Sequence, residues 1–226
     1  MRNLLLNSLL SLLLLSSCSP GILKNFRKTD RFLVNREDFY SFFPSVDTTH
    51  LFNMQVDFRK KHFSGLILIK SVQSDIYRIV FTTHFGMSVF DMEFVKGEFR
   101  MNYCLQALNK KSVINLLEND FRILLFLNLE ADKNYPYIYK NKNDSALEIN
   151  RMEKIYYLKD IKNETLLAIE APHFFSSLSY GFTDYIDRFP SLIQIKHSRI
   201  GIKMQLEKIH PHFDAPQEVQ VKQPSW

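Results

Sequence analysis

Leu51-Phe52-Asn53-Met54-Gln55-Val56-Asp57-Phe58 alternates: Phe52, Met54, Val56 and Phe58 fall on one side, Asn53, Gln55 and Asp57 on the other. A period of two sends successive side chains to opposite faces of a pleated strand, so this stretch predicts an antiparallel strand with one wet face. The period continues downstream. Residues 63–70 read as a strand apolar on both faces at Leu66-Ile67-Leu68-Ile69, which must be covered on both sides. Residues 76–83 carry Tyr77, Ile79 and Phe81 on one side. Residues 87–95 set Phe90, Met92 and Phe94 against Asp91 and Glu93. Lys96-Gly97-Glu98 is a tight-hairpin signal, and Phe99, Met101 and Tyr103 alternate after it. Five strands joined by short turns make a meander.

The period then changes. In residues 110–127, Val113, Leu116, Leu117, Phe121, Leu124 and Leu125 recur at helical spacing, with polar residues expected off that face and Ser112 a candidate cap. Such a stripe needs burial, so the helix should cover one face of the meander. Residues 128–144 are polar around Tyr135, Pro136, Tyr137 and Tyr139 and read as a loop with an edge strand. Short strands follow near residues 146–149, 154–158 and 165–169. Residues 172–187 look aromatic and irregular, and residues 192–197 and 200–209 form a closing hairpin. A short amphipathic helix is expected over residues 36–43, from Phe39, Phe42 and Phe43, ended by Pro44.

The chain opens with Arg2, a leucine-dominated run over residues 4–15, and Leu15-Ser16-Ser17-Cys18. A positive start, about a dozen apolar residues and small residues before a break describe a secretory signal. It is shorter than the roughly 20 residues a bilayer span requires. Leu-Ser-Ser-Cys resembles the lipobox of bacterial lipoproteins, which implies cleavage before Cys18, thioether lipidation of that cysteine and acylation of the new amino terminus. Ser19 follows, not the aspartate that retains enteric lipoproteins in the inner membrane. The expected organisation is a signal over residues 1–17, a lipidated tether over 18–35, one domain over 36–210 and a loose tail over 211–226.

Hydrophobic residues make up 46% and charged residues 23% of the chain, which excludes wholesale disorder. The formal charge of +5 is scattered, with the densest runs at Arg59-Lys60-Lys61 and residues 24–31. No nucleic-acid stripe forms, and a nearby anionic lipid surface or a plain basic exterior fits better. With Cys18 lipidated, Cys104 has no partner for a disulfide and is expected to be a small buried apolar residue.

Signs of catalysis are few. There is no Gly-x-Ser-x-Gly, no phosphate-cradling glycine loop and no His-Glu-x-x-His. His210-Pro211-His212 lacks acidic or cysteine partners at ligand spacing, so no metal and no cofactor is expected. His50, His62 and His84 fall at strand edges or turns and read as surface residues. Asp184 and Asp187 flank an aromatic segment; paired carboxylates can do acid–base work, which keeps a hydrolase built on them and a histidine as one alternative. The 20 phenylalanines, 10 tyrosines and 7 methionines suit either a core or an adaptable greasy cavity.

Tyr77-Arg78-Ile79-Val80-Phe81-Thr82-Thr83-His84-Phe85-Gly86-Met87-Ser88-Val89-Phe90-Asp91-Met92 resembles the core of the LolB-type outer-membrane lipoprotein receptors and their LolA-like relatives. There a strand of the form Arg-Leu-x-Leu-Thr precedes a Pro-Leu-Gly turn and a strand alternating apolar and acidic residues. Phe63-Ser64-Gly65-Leu66 also fits, and the resemblance spans residues 51–127. His84 stands where the family often has proline. The resemblance implies a mainly β, α+β fold: a curved antiparallel half-barrel of LolA/LolB type with covering helices. Its cavity would take acyl chains, lined by Met54, Val56, Phe58, Leu66, Leu68, Ile79, Phe81, Phe90, Met92 and Phe94. Phe85 matches the family's exposed turn residue that delivers cargo to the membrane; the alternative is that it folds back and packs locally.

The expected function is a monomeric, non-enzymatic carrier or receptor, lipid-anchored on the periplasmic face of the outer membrane. Its partners would be an acylated lipoprotein or lipid and a periplasmic LolA-like carrier. A non-catalytic assembly lipoprotein that uses the sheet as a platform stays open as the other alternative. An open concave face at Met54, Phe81, Phe90 and Met92 favours the carrier, and a face filled by the helix favours the platform.

Overall fold

In the computed structural model, residues 23, 25–31, 43, 47–73, 75–127, 137–150, 154–172 and 177–210 are described. The strands are β1 (Arg27–Arg31), β2 (Thr49–Phe58), β3 (Lys61–Gln73), β4 (Ile76–Thr82), β5 (Ser88–Val95), β6 (Glu98–Cys104), β7 (Tyr137–Lys140), β8 (Asp144–Asn150), β9 (Lys154–Asp160), β10 (Leu166–Pro172), β11 (Ser177–Ile186), β12 (Phe189–His197) and β13 (Ile202–Lys208); the helix α1 is Lys111–Leu124. The alternation of β2 produces the expected face: Phe52 and Met54 are buried while Gln55 and Asp57 are exposed.

All strands join one antiparallel sheet, in the order β1-β7-β8-β9-β10-β11-β12-β13-β2-β3-β4-β5-β6. Two meanders, β2–β6 and β7–β13, are zipped together where β13 pairs with β2, with Met204 opposite Val56 and Leu206 opposite Met54. The helix carries the chain from one outer strand, β6, to the other meander.

The contacts of α1 show that the sheet is curved. Arg122 donates to the Gly97 carbonyl at 2.7 Å and lies over the Phe94 ring, at the β5–β6 end. Two residues earlier, Asp120 bonds His197 at the end of β12, and its carbonyl accepts from the Tyr180 hydroxyl on β11. β11 and β5 lie six steps apart in the sheet order. On a flat sheet that is about 29 Å, which a helix of roughly 10–12 Å diameter cannot bridge. The sheet therefore wraps around α1 as a half-barrel. Gly65 marks one tight place in the wrap, because a Cβ there would lie 2.1 Å from the Thr82 carbonyl oxygen. Register shifts at Phe81/Thr82 and Asp91/Met92 add bend, as bulges do.

Several expectations change. Residues 172–187 are not irregular: β11 runs through them for ten residues, because Leu178, Tyr180 and Phe182 alternate into the core. Residues 27–31, read as tether, form edge strand β1 on β7, so β7 is not itself the edge. Leu23 and Phe26, in the same stretch, pack with Ala146, Tyr156, Tyr139 and Leu158 in a second apolar cluster. Ser112 does not cap α1; its N-cap is Lys110, with no side-chain hydrogen bond. Asp120, expected off the apolar stripe, lies on it, three residues after Leu117 and four before Leu124. No covering helix other than α1 occurs among the described residues; the signal, Cys18, the segment 36–42 and the tail 211–226 lie outside them.

Candidate functional site

The concave face is built by the core sides of β2 to β6 and β8 to β13. Met54, Ile79, Phe81, Phe90, Met92 and Phe94 line it, as the sequence reading placed them, and none exceeds 5% exposure. They form one cluster with Leu117, Phe121 and Leu124 of α1, with Phe90 and Phe121 ring centroids 6.4 Å apart. Val56 packs against the edge of the cluster, and Phe58 is half-buried at the end of β2. These side chains are thus a packed core beneath α1. Leu66 and Leu68 are not on this face. They alternate with buried Gly65, Ile67 and Ile69 and are half-exposed on the convex side, because an apolar run on both faces hides which residues face inward.

Beneath α1 this core encloses a polar pair, Asp120 and His197. Asp120 has no exposed surface, and its Oδ2 lies 2.8 Å from His197 Nε2, while Oδ1 is buried without a hydrogen bond. Burial pushes the Asp120 carboxyl up, and the His197 hydrogen bond and charge pull it back in part. The Tyr180 hydroxyl beside it is pushed well above its ordinary range, chiefly by burial and then by Asp120. The pair tethers α1 to β12.

The β4–β5 hairpin carries the other distinctive group. Gly86 donates to the Thr83 carbonyl at 2.9 Å, Thr83 to the Met87 carbonyl at 2.9 Å, and Met87 N–H to Thr83 Oγ1 at 3.1 Å. These bonds hold His84 and Phe85 at the tip, and Gly86 takes the left-handed φ of 81° that closes the turn. Phe85 is 100% exposed and Met87 58%. Phe85 does not fold back; it is presented outward by a hydrogen-bonded turn.

The remaining candidates separate. Asp184 and Asp187 are both exposed, with positive φ, at the end of β11, and among the described residues neither bonds a histidine. His62 is exposed and bonds Asp57 at 2.8 Å, and His210 Nε2 lies 3.1 Å from Ser191 Oγ. No group of three or more metal-ligating side chains occurs among the described residues. Cys104 is partly buried, and burial pushes its thiol up. A small hollow of about 90 Å³ lies on the convex side near Gln55, Gln194, Lys203 and Gln205, and its amide and charged lining does not suit an acyl chain.

The chain resembles a solved structure, a LolA superfamily protein from Nitrosomonas europaea, with TM-score 0.48 and 10% identity, over 74% of this chain and 86% of that chain. No family model matches the sequence, and no curated protein matches it.

His50 is a residue the sequence misplaced. Rather than lying at the surface, it stacks on Phe189 at 4.5 Å, meets the edge of Phe43 at 5.2 Å, and buries Nε2 without a hydrogen bond. Burial first, then the Lys208 charge, lowers its pKa from 6.5 to about 4. A histidine whose folded value is depressed supplies stability that is present above pH 6.5 and lost as the pH falls through about 4. Partial exposure limits the loss to about 1–2 kcal/mol. Urea midpoints at pH 7.5 and 4.5 should therefore fall further in the parent than in His50→Gln. Equal falls would show that His50 is not the group that titrates.

Proposed function

We propose that this protein is a lipid-anchored, non-enzymatic carrier or receptor of LolB type, held through Cys18 on the periplasmic face of the outer membrane. It would take an acylated lipoprotein or lipid from a periplasmic LolA-like carrier and pass it to the bilayer, acting as a monomer. The observation that carries this reading is Phe85, fully exposed on a hydrogen-bonded hairpin tip with Met87 beside it. A large apolar side chain held in water gains nothing for the fold and suits insertion among lipids. The acyl site would be the concave face once α1 moves. Phenylalanine and methionine side chains can repack around an acyl chain, and each methylene taken from water contributes about 0.8 kcal/mol. The filled concave face favours a second reading, a non-catalytic platform that docks a partner on the sheet without taking in lipid.

Native mass spectrometry with a triacylated peptide decides between them. A carrier gives a one-to-one complex, and hydrogen exchange across α1 rises as the helix leaves the sheet. Absence of any complex, with exchange in α1 unchanged, removes the carrier reading in favour of the platform.

A further inference from the structure

Three hairpin tips lie side by side at one end of the sheet. They belong to the β12–β13, β2–β3 and β4–β5 turns, whose strands are consecutive in the order β12-β13-β2-β3-β4-β5. Ile202 pairs with Phe58, and Phe58 with Lys61, so the first two tips sit at the same height. β4 ends at Thr82, opposite Leu66, and its turn closes at once, so the β4–β5 tip points from the same end of the sheet but stops about three residues, roughly 10 Å, short of the β2–β3 tip, beside Phe63. Five strand spacings give a rim about 24 Å long.

The rim repeats one chemistry. Each outer tip offers an apolar residue to water: Ile200 is 41% exposed at one side, Phe85 100% at the other, with Phe63 46% exposed between them. Arg59, Lys60, Lys61 and Arg199 fill the turns and are exposed. The neighbouring carboxylate, Asp57, is engaged by His62 at 2.8 Å, and no ion pair ties the four cations to a carboxylate among the described residues. Cations flanking apolar tips match a bilayer surface with anionic headgroups, where the tips enter the boundary and the charges stay among phosphates.

We infer that these three turns form one membrane-facing rim, in which Arg59, Lys60 and Arg199 select anionic lipid. The inference rests on the proposed docking of Phe85 and extends it: Phe85 supplies insertion, and the β2–β3 and β12–β13 turns supply lipid preference and orientation. Seated on its rim, the sheet would stand with its strands steep to the membrane.

The test uses the chain from Ser19 to Trp226, which contains every described strand and α1. Its binding is measured to vesicles of phosphatidylethanolamine with phosphatidylglycerol and to neutral phosphatidylcholine vesicles, at low and high salt. The parent should prefer the anionic vesicles and lose that preference at high salt. The triple variant Arg59→Asn, Lys60→Gln, Arg199→Gln should bind anionic vesicles roughly a hundredfold more weakly, about fivefold per charge, and bind neutral vesicles as the parent does. Asparagine tolerates the positive φ of 56° at position 59. Should the triple variant melt early, Lys60→Glu alone at its exposed turn must show a loss of at least fivefold. A triple variant that matches the parent on anionic vesicles, while Phe85→Glu binds neither kind, overturns the rim and leaves Phe85 docking intact. A parent that binds neither vesicle overturns both.

Discussion

Replacing His197 with leucine is expected to remove about 3–5 kcal/mol of stability, and adding Asp120→Asn to the same chain should return most of it. The reason is the position of Asp120. Its carboxylate is fully buried on the apolar stripe of α1, and His197 is the partner of its Oδ2, while Oδ1 has no hydrogen bond. Removing the imidazole leaves a buried charge in a low-dielectric setting, which is costly; removing the charge as well leaves an amide of the same shape. The pH dependence follows from the sign of the shift. Burial raises the Asp120 carboxyl above its ordinary value, so the native state holds this proton more tightly than the unfolded chain. The stability linked to that proton is fully present below about pH 3.8, the ordinary value, and is lost as the pH rises through the folded one. The gap between parent and His197→Leu should therefore narrow on acidification. His50 titrates in both chains and cancels in the difference. Urea unfolding followed by circular dichroism at pH 7.5 and 5 measures this. A single variant within about 1 kcal/mol of the parent, or a double variant no better than the single, would show that the pair does not hold α1 to β12.

Phe85→Glu should leave the fold intact and stop delivery to membranes. The side chain has no core contact to lose, and changes at such sites usually stay within about 0.5 kcal/mol. Burying a phenylalanine ring at a bilayer is worth about 1.5–3 kcal/mol, and glutamate adds a charge that must stay in water. Transfer of a bound acylated peptide into vesicles should fall roughly a hundredfold, with peptide binding in solution unchanged. Phe85→Leu should keep most of the transfer, because it remains large and apolar. Delivery by Phe85→Glu at the parent rate would assign Phe85 no part in the membrane step. Loss of peptide binding in the same variant would place Phe85 at the cargo site instead.

How much was legible follows from the range of each signal. Strands β2 to β6 and helix α1 could be read closely, because a period of two or of 3.6 is written in neighbouring residues. The β11 strand was obscured by glycine and by the aspartates after it, although Leu178, Tyr180 and Phe182 carry the same alternation. The sequence does not separate Leu66 and Leu68 from Ile67 and Ile69, because β3 is apolar on both faces. Asp120 was detectable in principle: a carboxylate between Leu117 and Leu124 on an otherwise apolar stripe calls for a buried partner, yet nothing local points to His197, 77 residues away. His50 reads as a surface residue because the ring it stacks on, Phe189, comes from a distant segment, and Phe43, seven residues earlier, reaches it only by the path the chain takes before β2.

By itself the sequence determined strands β2 to β6, the amphipathic helix and the turn that ends in Gly86, since backbone sterics and side-chain periodicity act within a few residues. Tertiary structure alone decided the rest. It set β13 against β2, drew Arg27–Arg31 into the sheet, curled the sheet until α1 touched both β5 and β12, and so filled the concave face. Those outcomes depend on pairing and packing between segments far apart in the chain, where many partners share the same local pattern and only their joint fit selects one.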